Sequence, residues 1–220
     1  MNKGIWIIGD VHGEYDMLIG LIAKLPQDAK ICFVGDLIDR GKKSAEVVNF
    51  IIENKYDCVL GNHEIMMIES LNDSYAKELW ELSGGKQTLE SYTKFEDDIF
   101  TLHIEYFKQL PYFLYYEMKN NKPLVVSHSY IHDVWVDKEH LYTQYDGKSI
   151  LWQHMHNKKL FHPTKEVANN LFNIFGHSVL KKPYVKEYFA MIDTGATYKN
   201  KVGLGKLSAI HYPSLKIIDF

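Results

Sequence analysis

The first part of the chain alternates short apolar runs with amphipathic stretches. Residues 5–8, 31–34 and 58–60 are apolar and rich in β-branched or aromatic side chains, which is typical of buried strands. Between these runs, apolar residues recur at three-four spacing over residues 16–25 and 44–52 and predict two helices. A strand–helix–strand order predicts parallel strands with helices packed on the sheet faces. The residues that follow each strand are therefore expected to meet at one edge of the sheet.

The remainder of the chain has a different pattern. Residues 65–110 predict a largely helical region that is interrupted at Ser83-Gly84-Gly85. Later apolar runs predict a mixed or antiparallel sheet, and the last two of them predict a hairpin around Pro213-Ser214. The histidine- and aromatic-rich stretch 134–164 has poor periodicity and predicts irregular loop with short helical turns. The predicted strands of this half are residues 112–118, 124–127, 172–175, 188–192, 207–212 and 215–220.

The amino-acid composition is typical of a globular protein. The chain has 220 residues, of which 46% are hydrophobic and 24% charged, and we expect one globular domain over residues 1–220. The formal net charge of −3 argues against a nucleic-acid-binding surface. No apolar run approaches the ~20 residues of a membrane span, and the N-terminal run is too short for a secretory signal. These features predict a cytoplasmic protein without a nucleic-acid or membrane partner.

Cysteine usage agrees with that prediction. The two cysteines, Cys32 and Cys58, lie in apolar runs that predict strands. Buried free thiols in a reducing compartment are favoured over a disulfide. If the two strands are neighbours, a bridge between these residues is geometrically possible.

Each of the first three predicted strands is followed by a polar motif that begins with glycine. The motifs are GDVHG at residues 9–13, GDLIDRG at residues 35–41 and GNHE at residues 61–64. In the first motif Asp10 and His12 are two residues apart, so on an extended segment their side chains face the same way and can bind one ion. The second motif contains Arg40, the only arginine of the chain, whose planar guanidinium is suited to phosphate.

Polar side chains, most of them of kinds that bind metal ions, follow most of the predicted strands. Carboxylate and imidazole ligands together suit Mn, Fe or Zn better than Ca or Cu(I). There are too many candidate ligands for one tetrahedral ion, so two ions that share a carboxylate are the simplest arrangement. Asp36, central in the sequence order, is the predicted shared ligand. The full set is Asp10, His12, Asp36, Asp39, Arg40, Asn62, His63, Glu64, His128 and His177.

Such a set of residues indicates phosphoester hydrolysis. Two metal ions about 3.5–4 Å apart lower the pKa of a water molecule held between them and orient an in-line displacement at phosphorus. Arg40 beside them would supply positive charge for the non-bridging phosphate oxygens. A histidine that binds no metal would protonate the leaving alkoxide.

The three motifs, followed by His128 and Gly176-His177, resemble those of the phosphoprotein-phosphatase branch of the calcineurin-like metallophosphoesterases. In size and spacing the chain is most similar to the compact bacterial and bacteriophage Ser/Thr protein phosphatases of the lambda type. The resemblance extends over residues 9–196, and five blocks in the right order make it specific. It implies an α/β fold in which two mixed β-sheets pack as a sandwich flanked by helices.

The resemblance also implies a role for each residue of the set. His63 would be the general acid, oriented and charged by Asp39, and Arg40, Asn62 and His63 would bind phosphate. The cofactors would be two divalent metal ions, Mn²⁺ above Fe or Zn. A metal-bound hydroxide would attack a phosphorylated protein or a small phosphoester directly, without a phosphoenzyme. The ligands would be Asp10 and His12 for the first ion, Asn62, His128 and His177 for the second, and Asp36 between them.

The chain departs from the family pattern at two positions that usually bind phosphate. Leu60 precedes the GNHE motif where the family usually has arginine, and His154 lies in the stretch after Leu151-Trp152 where another is usual. We expect weaker phosphate binding, or a substrate whose other parts supply affinity. His154 is a candidate substitute, although a surface histidine is the favoured interpretation.

Two other functions stay open at this point. A nucleotide hydrolase similar to the symmetrical diadenosine tetraphosphatases would use the same ligands, although the chains of those enzymes are usually longer. The aromatic-rich residues 142–152 would then stack a base, whereas core packing is their favoured use. A family member that binds metal or phosphorylated partners without turnover would explain the missing arginines. Retention of the metal ligands and of the Asp39–His63 pair argues against it.

Overall fold

The computed structural model describes residues 4–131, 148–153 and 170–220 of the chain. The helices are α1 (Tyr15–Ile22), α2 (Ser44–Glu53), α3 (Asn62–Ser70), α4 (Ser74–Trp80), α5 (Lys86–Tyr92) and α6 (Asp97–Gln109). A π-helical turn, Glu81–Gly85, joins α4 to α5, and Lys148–Leu151 forms a 3₁₀ turn. The strands are β1 (Ile5–Ile8), β2 (Ile31–Phe33), β3 (Asp57–Cys58), β4 (Phe113–Tyr116), β5 (Leu124–Ser127), β6 (Phe172–Phe175), β7 (Tyr184–Val185), β8 (Phe189–Met191), β9 (Ser208–Tyr212) and β10 (Lys216–Asp219).

The first sheet has the strand order β10-β9-β1-β2-β3. Its strands β1, β2 and β3 are parallel, as the strand–helix alternation predicts. The hairpin of β9 and β10 adds to the other side of β1 in antiparallel orientation, with Ile5 opposite Tyr212. The predicted hairpin is therefore confirmed, and it lies in the same sheet as the first strand.

The second sheet is mixed, as predicted, and has the strand order β4-β5-β6-β8-β7. The three central strands β5, β6 and β8 are parallel, and β4 and β7 pair with them in antiparallel orientation at the edges. Strand β7 is absent from the sequence prediction, because its two residues are too short and too exposed to show an apolar period.

The two sheets pack against each other through alternate residues of their strands. In β1, Ile5 and Ile7 belong to a buried cluster that also contains residues of β5 and β6. Trp6 and Ile8 belong to a second cluster, together with residues of α1 and α2. A strand that lies between two layers needs apolar side chains on both faces, which explains the continuous apolar run of β1. The predicted α/β fold, with two mixed sheets flanked by helices, is confirmed.

The helical region predicted over residues 65–110 contains the predicted break and two more. At residues 83–85 the helices α4 and α5 meet at a kink, where Gly84 has a non-helical φ of 116°. The chain also leaves helical conformation at residues 71–73 and 93–96. Asp73 caps α4 there by accepting backbone N–H groups of that helix. The predicted break at the glycine pair is therefore confirmed, and the two further breaks were not predicted.

Most of the irregular stretch predicted over residues 134–164 lies outside the described residues. The part that is described includes Ile150 and Leu151, both buried. Among the residues that the structure describes, no helix has the length and apolar character needed to cross a membrane.

A buried carboxylate ties together the loops that follow β2 and β3. Glu64, in the first turn of α3, is fully buried, and its Oε2 accepts the backbone N–H groups of Asp36 at 2.9 Å and Gly61 at 3.0 Å. Its Oε1 accepts the N–H of Leu37 at 2.8 Å. Gly61 makes this approach possible, because a Cβ atom there would collide with Asp36. Burial and the charge of Asp36 raise the pKa of Glu64 to about 7, and the N–H donors oppose that shift.

The two cysteines lie on neighbouring strands but on opposite faces of the sheet. In the pairing of β2 with β3, Cys58 lies opposite Phe33 and not opposite Cys32. Because successive side chains of a strand alternate between faces, Cys32 packs between the sheets and Cys58 packs toward the helices. Both are free thiols, as predicted, and burial raises the pKa of Cys32 to about 12.

We expect a mild oxidant to leave both thiols intact in the folded protein. Side chains on opposite faces cannot form a bridge without backbone movement, and a buried thiol of raised pKa supplies little thiolate. Thiol titration after denaturation should therefore find both Cys32 and Cys58 reactive in treated and untreated samples alike. Loss of both thiols together, with a mass decrease of two hydrogens, would contradict this placement.

We expect the substitution Glu64→Gln to destabilise the fold. The glutamine amide group would face backbone N–H donors, and an unsatisfied buried donor costs about 1–3 kcal/mol. The measurement is the free energy of unfolding from urea denaturation at several pH values. A carboxyl group whose pKa is raised to about 7 destabilises the fold as the pH rises, so the deficit of Glu64→Gln should be largest at roughly pH 5 and shrink toward pH 8. The matched control is Glu78→Gln on the exposed face of α4, which should stay within about 0.5 kcal/mol of the wild type. If Glu64→Gln and Glu78→Gln have the same free energy of unfolding, the hydrogen bonds that Glu64 accepts do not stabilise the fold.

Candidate active site

Loops at the carboxyl ends of the parallel strands form an open cleft of about 530 Å³. The predicted residues that line it are Asp36, Arg40, Asn62, His63 and His177. The other predicted residues, Asp10, His12, Asp39 and His128, are buried in direct contact with members of that group. The cleft walls also include Met66, Ser83, Trp152, Val179 and Tyr198. The fold therefore brings all of the predicted site residues together.

Several of these residues have an unusual backbone conformation. The left-handed region of φ costs a residue with a side chain roughly 1–3 kcal/mol, and it persists only where surrounding contacts hold it. Such strain clusters at functional sites more often than elsewhere. The strained site residues are His12 (φ 47°), Asp36 (φ 50°), Asp39 (φ 74°), Arg40 (φ 66°) and His177 (φ 63°).

Asp36 lies at the centre of the histidines. Its Oδ1 is 3.4 Å from His128 Nε2, and its Oδ2 is 3.6 Å from His12 Nε2 and 3.9 Å from His63 Nε2. Burial opposes ionisation of Asp36, but the surrounding imidazoles, His128 first, outweigh it and hold its pKa well below the usual range. Asp36 is thus a carboxylate placed between histidines on two sides.

Two groups of three potential metal ligands occur among the described residues, each with donor atoms within 4.8 Å of one another. Asp36 belongs to both groups, which is the shared position that the sequence predicts. Asp10 lies outside the first group, and His63 takes a place in it. The groups are His12, Asp36 and His63, and Asp36, His128 and His177.

Two of the histidines are oriented by backbone carbonyl groups. His12 Nδ1 lies 2.8 Å from the carbonyl oxygen of Ile38, and His128 Nδ1 lies 2.8 Å from that of Val34. Because a carbonyl only accepts, each Nδ1 carries the proton and each Nε2 lone pair points into the site. Burial lowers the pKa of both histidines and favours the neutral form. A neutral imidazole whose other nitrogen donates to a carbonyl is the usual arrangement of a metal-binding histidine.

In the second group of potential ligands, two acceptor atoms lie closer together than uncharged acceptors normally do. His128 Nε2 is 2.7 Å from Asn62 Oδ1 and 3.1 Å from His177 Nδ1, and the latter is 3.0 Å from Asn62 Oδ1. With the His128 proton on Nδ1, its Nε2 and the Asn62 oxygen are both acceptors. Two acceptors at 2.7 Å repel unless a cation lies between or beside them. The donor set therefore fits a bound metal ion.

Three buried carboxylates of the site, those of Asp10, Asp36 and Asp193, influence one another's ionisation. Asp10 accepts the backbone N–H of His177 at 3.1 Å, and Gly176 permits this contact because a Cβ atom there would overlap the carboxylate. Burial and the charges of Asp193 and Asp36 raise the pKa of Asp10. Burial also raises the pKa of Asp193 to about 6, with Asp36 adding to the shift. A divalent cation would offset the repulsion among these groups.

Asp193 was not among the site residues predicted from the sequence. It comes two residues after the end of β8, as Asp10 comes two residues after the end of β1, so the same positional signal would have identified it. Trp80 and Thr88 were also missed. Both contact Asp39, but each is 41 or more residues away in the sequence and lies in or beside a helix, so no local pattern marks them.

His63 differs from His12 and His128 in the group that holds its ring. Its Nδ1 donates to the carboxylate of Asp39 at 2.6 Å, and its Nε2 lies 2.8 Å from Arg40 Nη2. Burial alone would lower the pKa of His63, but the charge of Asp36 and the bond to Asp39 outweigh it and raise the pKa. A carboxylate-held imidazole that faces a cleft is suited to proton transfer.

Of the two departures from the family pattern, the structure describes the one at Leu60. Leu60 is buried in the core, and its backbone N–H donates to the carbonyl of Pro111. Trp152 borders the cleft, whereas His154 lies outside the described residues. Since Arg40 is the only arginine of the chain, it is the sole guanidinium available to the site.

Comparisons with known proteins agree with this geometry. A profile of the family described as Calcineurin-like phosphoesterase matches residues 4–189. The chain is 26% identical to Serine/threonine-protein phosphatase 2 of Escherichia coli, with 93% of each chain covered. It is 25% identical to an asymmetrical bis(5'-nucleosyl)-tetraphosphatase of Anoxybacillus flavithermus, covering 97% of this chain and 92% of that one.

The fold is also shared with solved structures. The crystal structure of a candidate diadenosine tetraphosphatase superimposes with a TM-score of 0.68 at 20% identity, over 100% of this chain and 94% of the other. The family profile spans most of the sequence, and it includes the motifs at residues 9–13, 35–41 and 61–64. The chain therefore belongs to the calcineurin-like phosphoesterase family and is a phosphoester hydrolase.

Proposed function

We propose that the chain is a metal-dependent phosphomonoester hydrolase that acts on phosphoserine and phosphothreonine in proteins. The observation that carries this proposal is the placement of Arg40 and the Asp39–His63 pair beside Asp36 in an open cleft. Similarity to a protein named as a serine/threonine-protein phosphatase, over 93% of both chains, supports the same reaction.

Two divalent metal ions are the proposed cofactors. Mn²⁺ is the expected ion, and Fe or Zn also suits carboxylate and imidazole ligands. Bound there, the ions would supply a water molecule of lowered pKa and positive charge for the phosphate. The proposed ligands are Asp10, His12 and Asp36 for one ion, and Asp36, Asn62, His128 and His177 for the other.

The side chains of the cleft meet the other needs of phosphoester cleavage. The guanidinium of Arg40, whose donors contact Nε2 of His12 and of His63 in the structure, would turn these donors to the non-bridging oxygens. Asn62 and His63 line the same cleft and would bind the same phosphate. His63 delivers a proton from Nε2 to the leaving alkoxide. The Nδ1 bond to Asp39 keeps the ring in place and stabilises its charged form.

Hydrolysis of dinucleoside polyphosphates is the second candidate. Trp152, which is 44% exposed, and Tyr198 border the cleft and offer aromatic faces to a base. The Anoxybacillus flavithermus relative is named as an asymmetrical tetraphosphatase, whereas the sequence motifs had suggested a symmetrical one. This chain also spans 92% of that relative, so chain length does not favour the protein phosphatase over the nucleotide hydrolase.

Binding without turnover has less support than either hydrolase activity. The two missing arginines suggested it, but family membership and the complete set of proposed ligands argue for catalysis. We also infer that residues 1–220 form one domain and that the protein works in the cytoplasm. The two free, buried thiols support a reducing compartment.

Removal of metal should abolish activity, and Asp36 should be required for metal binding. We expect chelator-treated protein to release no phosphate from p-nitrophenyl phosphate until Mn²⁺ is added back. Asp36→Asn should bind fewer ions per chain by elemental analysis, because it removes the charge that both sites share. The matched control is Asp98→Asn, an exposed residue of α6 that should retain full metal content. A fully loaded Asp36→Asn protein would refute the shared ligand.

Substrate comparison should separate the two candidate activities. We expect a phosphoserine peptide to be hydrolysed with higher kcat/KM than diadenosine tetraphosphate. Trp152→Ala should then leave the ratio of the two values nearly unchanged. If a base stacks on Trp152, the same substitution should raise KM for the dinucleotide about tenfold or more, since one stacked base contributes about 1–3 kcal/mol. Preference for the dinucleotide would replace the proposed protein substrate.

A further inference from the structure

The Asp39 carboxylate receives an unusually complete set of side-chain hydrogen bonds. Its Oδ2 accepts from His63 Nδ1 at 2.6 Å and from Trp80 Nε1 at 2.9 Å. Its Oδ1 accepts from the Thr88 hydroxyl at 2.7 Å and from Trp80 Nε1 at 3.0 Å. Asp39 is fully buried, so these donors replace its hydration. Two of the three donor residues, Trp80 and Thr88, have no part in the proposed chemistry.

The same two residues bracket the π-helical turn Glu81–Gly85, and we call residues 80–88 the clamp segment. Thr88 Oγ1 also accepts the backbone N–H of Asp39 at 2.9 Å. The carbonyl of Gly84 accepts the backbone N–H of Arg40 at 3.1 Å. The clamp segment therefore contacts both the carboxylate of Asp39 and the strained backbone of Asp39 and Arg40.

The shape of the clamp segment allows this close approach. Gly84 has a φ of 116°, and a Cβ atom there would lie 2.7 Å from the backbone nitrogen of Arg40. The non-helical conformation of Gly84 produces a bend between α4 and α5. This bend places Trp80 of α4 and Thr88 of α5 against one carboxylate. A regular helix would not present the Gly84 carbonyl to Arg40.

We propose that Trp80 and Thr88 are positioning residues that fix the Asp39 carboxylate and, through it, the ring of the general acid His63. The inference rests on the proposed role of His63. With its two oxygens held by fixed donors, Asp39 has one orientation, and the Nδ1 bond transmits that orientation to the imidazole. His63 Nε2 is then directed at the leaving oxygen without a search among rotamers.

Proton transfer to the leaving group gives a readout that a structural role alone would not change. Phenolate is a poorer leaving group than p-nitrophenolate, so phenyl phosphate depends more on a well-placed acid. Loss of a positioned acid should therefore lower kcat for phenyl phosphate more than for p-nitrophenyl phosphate. General destabilisation lowers both rates by the same factor, because it reduces the amount of folded enzyme.

The experiment measures kcat with both substrates on Mn²⁺-loaded protein. Trp80→Phe keeps an aromatic ring and removes the N–H donor, while Thr88→Val keeps the shape and removes the hydroxyl group. We expect each to lower kcat for phenyl phosphate about tenfold or more and for p-nitrophenyl phosphate by less than about threefold, as for partial loss of general-acid catalysis. Thr88→Ser, which retains the hydroxyl group, should restore the wild-type ratio.

A control on the same helix tests for nonspecific damage. Tyr92→Phe removes the buried hydrogen bond between the Tyr92 hydroxyl and His103 Nδ1, 2.7 Å long, without touching Asp39. It should leave the ratio of the two kcat values unchanged. If Thr88→Val also leaves the ratio unchanged, the positioning role is wrong.

His63→Asn separates this inference from the proposed function. We expect it to lower kcat for phenyl phosphate by about 10²–10⁴, with a smaller effect on p-nitrophenyl phosphate. If His63→Asn changes the ratio but Trp80→Phe and Thr88→Val do not, the positioning role fails and the general acid stands. If His63→Asn leaves the ratio unchanged, the general-acid role itself fails, and the inference fails with it.

Discussion

The stability of the fold depends on the way in which five carboxylates are buried within one site. Each is at most 2% exposed, and burial of an ionised carboxylate costs several kcal/mol unless donors or cations replace its hydration. The loops between strands and helices are arranged to supply these donors. Backbone N–H groups serve Asp10, Asp36, Glu64 and Asp193, whereas side chains serve Asp39. The five carboxylates are Asp10, Asp36, Asp39, Glu64 and Asp193.

The same constraint gives the histidines of the site different hydrogen-bond partners. His12 and His128 donate their Nδ1 protons to neutral carbonyls, and burial keeps their rings uncharged. His63 donates to a carboxylate, which stabilises the charged ring. The hydrogen-bond partner of Nδ1 therefore distinguishes His12 and His128, which are suited to metal ligation, from His63, which is suited to proton donation. This distinction supports the proposed roles, and it comes from long-range contacts rather than from the motifs.

The sequence predicts those features of the fold and of the site that local residue patterns encode. Apolar runs with glycine-led polar motifs locate the strand ends, and parallel strand order brings Asp10, Asp36 and Asn62 to one edge. The two-sheet fold follows from the same order of elements together with the family resemblance. The contacts of Trp80 and Thr88 with Asp39 were not predictable, because they depend on the angle at which α4 and α5 meet at Gly84, and local residue patterns do not encode that angle. Helix ends near residues 71–73 and 93–96 were missed because the glycine pair is the stronger local signal.

The pairing of β1 with β9 has a consequence for synthesis of the protein. Ile5 lies opposite Tyr212, so the central strand of the first sheet gains its antiparallel neighbour only after residue 212 has left the ribosome. Until then one edge of β1 lacks its hydrogen-bonding partner, and an unpaired apolar strand edge promotes association with other chains. Contacts of such long range also slow folding. Nascent chains of this protein are therefore expected to need protection until β9 and β10 emerge.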